Sequence, residues 1–262
     1  MKKILALALL ASVLAQPAFA AVQTKEVTYK DGKTELTGFL AWDDAVQGPR
    51  PGVLIIHQWM GLTDYEKGRA KQLAELGYTA FCADIYGAAD MPKDMASAGA
   101  SAGKYKGDRV LYRSRLQAAL KTLKAQAEVD PKQTAAMGYC FGGTGALEMA
   151  RMNADVLGVV VFHGGLDAGK APTADKIKPR VLVLHGANDP YGTADVVNTL
   201  ERELDKGQAD WQLVKYSGAV HAFTQPGAGN DPSKGIAYNE SADKRSWIAM
   251  KNFFNEIFAK QG

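Results

Sequence analysis

Residues 138–143 read Gly138-Tyr139-Cys140-Phe141-Gly142-Gly143, between a short apolar run, Thr134 to Gly138, and a stretch of helical character, Gly143 to Met152. A strand-to-helix junction of the form Gly-x-nucleophile-x-Gly is a nucleophile elbow, here with cysteine where serine is usual. The glycines have a steric reason. A sharp turn forces the central residue into strained dihedrals, and side chains two positions away on either side would collide. The turn also sets Cys140 at a helix N-terminus, where free N–H groups and the helix dipole favour a thiolate. The next N–H along the chain, that of Phe141, becomes a candidate donor to an oxyanion.

Outward from this point the chain alternates strands with helices, without internal repeats and without a long linker. Upstream, Val22 to Tyr29 and Thr34 to Ala41 flank Lys30-Asp31-Gly32-Lys33, whose Asp-Gly signals a hairpin. Pro51-Gly52 then introduces Val53-Leu54-Ile55-Ile56-His57, a continuous apolar run expected of a strand buried on both faces. A helix is expected over Thr63 to Leu76 with Gly77 as its C-cap, a strand over Thr79 to Ala83, and a helix over Asp108 to Ala127. The segment Gly87 to Gly107, with Ser-Ala-Gly-Ala-Ser-Ala-Gly at 97–103, shows no regular pattern and reads as a long loop, either a lid or a surface excursion. Downstream come strands at Leu157 to Phe162, Arg180 to Leu184 and Trp211 to Tyr216, and helices at Ala194 to Asp205 and Ala242 to Phe258. Helices between consecutive buried strands imply right-handed crossovers and a mostly parallel sheet covered on both faces, with the opening hairpin adding antiparallel strands at one edge. The expected fold class is α/β, of the α/β-hydrolase outline.

Two further residues complete a constellation. Asp189 lies in His185-Gly186-Ala187-Asn188-Asp189-Pro190, just past the strand ending at Leu184, and His221 lies in Gly218-Ala219-Val220-His221-Ala222-Phe223, after the last strand. The chain order nucleophile, acid, histidine belongs to this architecture, and all three residues fall beyond C-terminal strand ends, where open α/β sheets bind ligands. Taken singly, Asp189 would be a turn residue and His221 a structural histidine. Jointly with Cys140 they read as a catalytic triad, in which His221 handles the thiol proton and Asp189 fixes its tautomer and offsets its charge. His163-Gly164-Gly165-Leu166 resembles an oxyanion motif of lipases but follows the nucleophile instead of preceding it, so it reads as a strand-end turn. Asp167 is a backup acid, and His57 and His185 close buried strands as structural residues.

The chain ends and composition set bounds. Met1-Lys2-Lys3, the apolar run Ile4 to Leu14 and Ala18-Phe19-Ala20 form a secretory signal peptide cleaved after Ala20. The apolar run is too short to span a bilayer. Residues 1–20 are thus expected to be removed, leaving 21–262 as a single domain with a periplasmic or secreted address and no membrane partner. The formal net charge is +3, and no basic run or aromatic-interleaved patch points to nucleic acid. The two cysteines, Cys82 in an apolar strand and Cys140 in the elbow, sit in contexts that oppose a disulfide. No metal-ligand spacing or nucleotide fingerprint occurs, so neither metal nor cofactor is expected.

Gly138-Tyr139-Cys140-Phe141-Gly142-Gly143, the Gly-x-x-Asp of 186–189 and His221-Ala222-Phe223 together resemble the dienelactone hydrolase family, as do Val53 to Gly61, Leu76-Gly77-Tyr78 and Ala83-Asp84-Ile85-Tyr86-Gly87. The resemblance spans nearly the whole chain after residue 20. It implies a cysteine hydrolase that opens lactones or cleaves small esters through a thioester, with the Trp59 N–H as second oxyanion donor beside that of Phe141. Two positions depart from the family pattern. Gln58 stands where the family has a glutamate that takes the cysteine proton, and Gln225 stands where it has an arginine that holds the substrate carboxylate. A neutral amide is a poor substitute for a guanidinium. The implied substrate is therefore a neutral or differently charged small ester or lactone, in a pocket lined by Gln58, Trp59, Tyr86, Tyr139, Phe141 and Gln225. A monomer or small homo-oligomer is expected. Two other readings stay open: a hydrolase-fold binding protein without turnover, motivated by Gln58, and a thiol redox protein, which lacks a Cys-x-x-Cys pair.

Overall fold

The run Val53 to Ile56 forms the centre of strand β3 (Arg50–Ile56) in the computed structural model, which describes residues 21–259. The leader expected at 1–20 lies outside the described residues. Successive β3 side chains alternate between two helical layers, so all four residues are fully buried: Leu54 and Ile56 enter one core and Val53 and Ile55 the other.

Around it lies one eight-stranded sheet. The hairpin β1 (Val22–Asp31) and β2 (Thr34–Asp43) pairs antiparallel, and β2 also runs antiparallel to β4 (Thr79–Ala83). Beyond β4 every pairing is parallel, through β3, β5 (Val129–Tyr139), β6 (Gly158–Phe162), β7 (Arg180–Gly186) and β8 (Trp211–Tyr216). The order is β1-β2-β4-β3-β5-β6-β7-β8. Helices α1 (Asp64–Glu75) and α7 (Glu240–Phe258) cover one face. Helices α3 (Met95–Gly107), α4 (Arg109–Lys124), α5 (Phe141–Arg151) and α6 (Ala194–Lys206) cover the other. The parallel strands all end at one edge, where the loops carrying Cys140, Asp189 and His221 leave the sheet. This is the α/β-hydrolase fold.

The segment 87–107 departs from the sequence expectation. It forms a short helix, α2 (Gly87–Asp90), and then α3, with no long irregular loop. Asp94 and Ser97 close a reciprocal capping box at the start of α3, and Ala98, Ala102 and Tyr105 recur at helical spacing as its buried stripe. Small residues on that stripe hid an apolar period behind a Gly/Ser-rich composition. Strand β5 also starts earlier than Thr134, because its pairing with β3 resumes after a register shift opposite Pro51 and Gly52.

Below the site, a buried ion network joins α4, α5, α6 and the loop after β6. Arg151 places all five guanidinium donors: on Glu203 (2.9 and 2.8 Å), on Glu148 (3.1 Å) and on the carbonyls of Leu166 (2.8 Å) and Asp167 (2.9 Å). Arg113 supplies Glu148 with a second partner at 2.8 Å. Replacing Arg151 with Met would leave these carboxylates and carbonyls underpartnered inside the protein. Urea denaturation of R151M is expected to show a loss of about 3–5 kcal/mol.

Candidate active site

Cys140 occupies the turn between β5 and α5 with φ 53° and ψ −112°, a conformation that L residues rarely hold without surrounding constraint. The constraint is packing. A Cβ on Gly138 would lie 1.9 Å from the Gly142 carbonyl oxygen, and one on Gly142 would lie 2.0 Å from the Ile56 oxygen. The start of α5 thus sits directly on the end of β3, and only glycine permits it. The Gly143 and Thr144 N–H groups close on the Cys140 carbonyl, and the Cys140 N–H bonds the Phe162 carbonyl of β6.

His221 reaches the thiol from the loop after β8. Its Nε2 lies 3.1 Å from Cys140 Sγ, and its Nδ1 lies 2.9 Å from Asp189 Oδ2. The other Asp189 oxygen accepts the Tyr191 N–H at 2.9 Å, which fixes the carboxylate plane. The histidine backbone is held on both sides, its N–H on Gly235 O and its carbonyl under the Ala237 N–H. Beside it stands His163, fully buried with φ 38°, Nε2 2.8 Å from Thr224 Oγ1 and its ring edge-on to His221 at 5.3 Å. Burial, with the nearby His221 charge, pushes the His163 pKa well down, so it packs against His221 as a neutral ring.

The electrostatics favour a charge-separated pair. Burial works against a thiolate at Cys140, but the His221 hydrogen bond and charge, then the Lys106 charge and the Phe141 N–H, outweigh it and bring the thiol below its ordinary value. Burial likewise works against an imidazolium at His221, yet the hydrogen bonds to Asp189 and Cys140 raise it to about 9. Both shifts describe one coupled titration across the Sγ–Nε2 contact.

Trp59 follows β3, and its N–H, like that of Phe141, is bonded to no other group's carbonyl among the described residues. Its loop is held by Glu66, which sequence reasoning missed. The buried carboxylate accepts the Gln58 N–H (3.2 Å), the Thr63 N–H (3.0 Å) and the Thr63 hydroxyl (2.6 Å). The Thr63-x-x-Glu66 capping box that begins α1 was the available signal. The Tyr86 hydroxyl adds a bond to the Trp59 carbonyl at 3.0 Å. Gln58 is buried, and its side-chain amide bonds no described residue.

Three expected pocket residues do not line an open pocket. Tyr139 points to the α1 and α7 face and stacks on Phe162 at 4.6 Å, because side chains one position apart on β5 face opposite layers. The Phe141 ring is buried against Tyr112, nearly coplanar at 4.7 Å, so only its N–H serves the site. Tyr86 is likewise almost wholly buried and acts on the site through Trp59. Gln225 is half-buried, and its N–H closes a turn on Ala222 O, while its side chain bonds no described residue. Asp167 pairs with Arg109 at 2.6 Å, away from His221. Cys82 is a buried free thiol that donates to Glu66 O, and Cys140 is free as well. A cleft of about 460 Å³, lined among others by Glu26, Phe39, Lys67 and Met91, contains none of the Cys140, His221 and Asp189 side chains. Among the described residues no group of three or more His, Cys, Asp or Glu side chains could hold a metal, and no helix is long and apolar enough to cross a membrane.

A model of the dienelactone hydrolase family matches residues 36–258. The chain belongs to that family. Among solved structures it is similar to a dienelactone hydrolase-like promiscuous phosphotriesterase from metagenomic libraries, at 43% identity and TM-score 0.86, over 91% of this chain and 100% of that one. Among curated relatives, a Saccharolobus solfataricus protein provisionally named carboxymethylenebutenolidase is 26% identical over 89% of this chain and 98% of its own. Membership makes the protein a hydrolase-family member whose family substrates are small molecules.

Two measurements probe the site. Removing the imidazole in His221→Asn removes the interaction that favours the thiolate, so burial prevails and the Cys140 pKa rises. The 240-nm thiolate absorbance and the iodoacetamide rate are expected to persist below the ordinary thiol range of about 8.5 in the wild type and to move to higher pH in the variant. Glu66→Gln sets an amide NH2 against donors that the carboxylate now accepts. Urea denaturation of E66Q is expected to show a loss of about 2 kcal/mol.

Proposed function

We propose that the protein hydrolyses small carboxylic esters or lactones by covalent catalysis at Cys140, with His221 as general base and acid and Asp189 as its orienting carboxylate. The observation that carries this reading is the unbroken contact line Cys140 Sγ–His221 Nε2 (3.1 Å) and His221 Nδ1–Asp189 Oδ2 (2.9 Å) on an elbow of a hydrolase family.

The steps follow from the charges. The Cys140 thiolate attacks the substrate carbonyl carbon, and the carbonyl oxygen takes the negative charge between the Phe141 and Trp59 N–H groups. As the tetrahedral centre collapses, the C–O bond breaks and the alcohol oxygen takes the proton on His221 Nε2, leaving a thioester. His221, again neutral, removes a proton from water, and the resulting hydroxide attacks the thioester carbon. The carboxylic acid departs and gives up its proton to solvent, and the thiolate and imidazolium are back in their starting state. In a lactone the alcohol stays tethered and the product is one hydroxy acid. Gln58 has no protonatable oxygen to take up the thiol proton, so His221 carries that role alone. The 43% identity with the promiscuous phosphotriesterase supports a neutral phosphotriester as a second electrophile for the same thiolate. The residues 1–20 leader supports a periplasmic or secreted location for this activity.

Stopped-flow hydrolysis of p-nitrophenyl acetate with intact-mass detection tests the mechanism. A burst and an acetyl adduct in the wild type, both absent in Cys140→Ala, are expected. Equal rates with no adduct in either protein would favour the binding-protein reading.

A further inference from the structure

Large apolar side chains seldom stand exposed without cause when they cluster, and two that do lie on the segments beside His221, one against its ring and one bridged to its backbone. Tyr191 is 61% exposed and Ile236 38% exposed. The Tyr191 ring stands edge-on to His221 with centroids 5.1 Å apart. Ile236 is bridged to His221 through the backbone, by the contacts His221 N–H to Gly235 O and Ala237 N–H to His221 O, each 3.1 Å. The two residues sit on loops that touch: a Cβ on Gly235 would lie 2.8 Å from Pro190 Cγ, so the proline ring rests on the backbone beside Ile236. Tyr191 is also tethered by its N–H to Asp189 Oδ1 at 2.9 Å, so the aromatic wall is fixed by the same carboxylate that orients the histidine.

The chemistry of acylation says which part of a substrate meets this wall. The departing alcohol oxygen must take its proton from His221 Nε2, so the alcohol half of an ester lies on the His221 side of the sulfur while the acyl carbon stays over Cys140. Groups that border His221 therefore border the leaving group. We infer that Tyr191 and Ile236 form a leaving-group subsite that selects esters of apolar, aryl-bearing alcohols. The inference deepens the hydrolase reading and rests on it. An aryl ring entering this rim covers apolar surface on both residues and meets the Tyr191 face or edge in a geometry that aromatic pairs favour. The neutral amides at Gln58 and Gln225 leave no competing charge requirement at those positions.

The test compares 2-phenylethyl acetate with ethyl acetate. Their alcohols have similar acidity and both yield the same acetyl-enzyme, so the ratio of their kcat/KM values reads leaving-group recognition alone. The wild type is expected to prefer the phenylethyl ester, and Tyr191→Ala to lower that ratio about tenfold, as loss of one aromatic contact and its burial would. Tyr191→Phe should retain most of the preference, since the ring and not the hydroxyl makes the contact. The ethyl hexanoate to ethyl acetate ratio varies only the acyl half and should not follow Tyr191. An unchanged phenylethyl preference in Y191A, or an equal shift of the acyl ratio, would overturn the subsite. A second readout needs no turnover: 2-phenylethanol should slow carboxamidomethylation of Cys140 by iodoacetamide in the wild type, and less so in Y191A. Protection that depends on Tyr191 without any Cys140-dependent ester turnover would sink the hydrolase reading and leave the aryl site standing. Turnover without protection or preference would do the reverse.

Discussion

The close approach of α5 to the end of β3 is the constraint on which the site depends. No side chain fits between Gly142 and the Ile56 carbonyl, so the helix can begin only where it does, and Cys140 is left in a backbone conformation with φ 53° that the turn alone would not hold. Strain of this kind persists only where the surroundings over-determine it. Here they do: β6 takes the Cys140 N–H, Tyr112 bonds the Phe141 carbonyl at 3.0 Å, and the Phe141 ring is locked against Tyr112. The sulfur is thus aimed by the packed sheet and helices, with no flexible loop involved.

The other positive-φ residues at this edge extend the same logic. His163 (φ 38°) and Ala222 (φ 57°) flank the histidine loop, and the Thr224 hydroxyl links that loop to His163 on one side and to Tyr65 of α1 on the other, at 2.8 and 2.7 Å. Arg69 donates to the Thr224 carbonyl and pairs with Asp243 of α7. His221 therefore keeps its place through contacts that reach both helices on the far face. A neutral His163 suits this role. A second charged imidazole 5.3 Å from His221 would oppose the imidazolium that the Cys140 thiolate needs.

Much of this was legible in the chain itself, for identifiable reasons. The elbow, the strand ends and the order Cys140, Asp189, His221 are local or sequential features, and the parallel sheet follows from buried apolar runs spaced by helices. What escaped reading depended on burial direction or on contacts across the fold. Tyr139 adjoins Cys140 in sequence, yet the strand's alternation turns it to the opposite core. The α3 stripe uses alanine, which periodicity barely registers. Glu66 presents itself in sequence as a helix cap, but its reach back to the Gln58 N–H is a tertiary fact. Tyr191 looks like an ordinary turn residue until the loop carrying Asp189 is folded against His221.

These placements bear on how the frame stands with neutral amides at 58 and 225. Glu66 and Tyr86 fix the Trp59 loop from behind, by backbone contacts that do not involve the Gln58 side chain. The Gln225 segment is likewise held by its backbone turn and by Thr224. The side chains at 58 and 225 thus take no part in the hydrogen bonds that hold the Trp59 loop and the histidine. The backbone scaffold that positions Cys140, His221 and Asp189 is separable from those two side chains. Exposed groups beside His221, Tyr191 and Ile236 among them, are then the ones open to contact with whatever approaches the site.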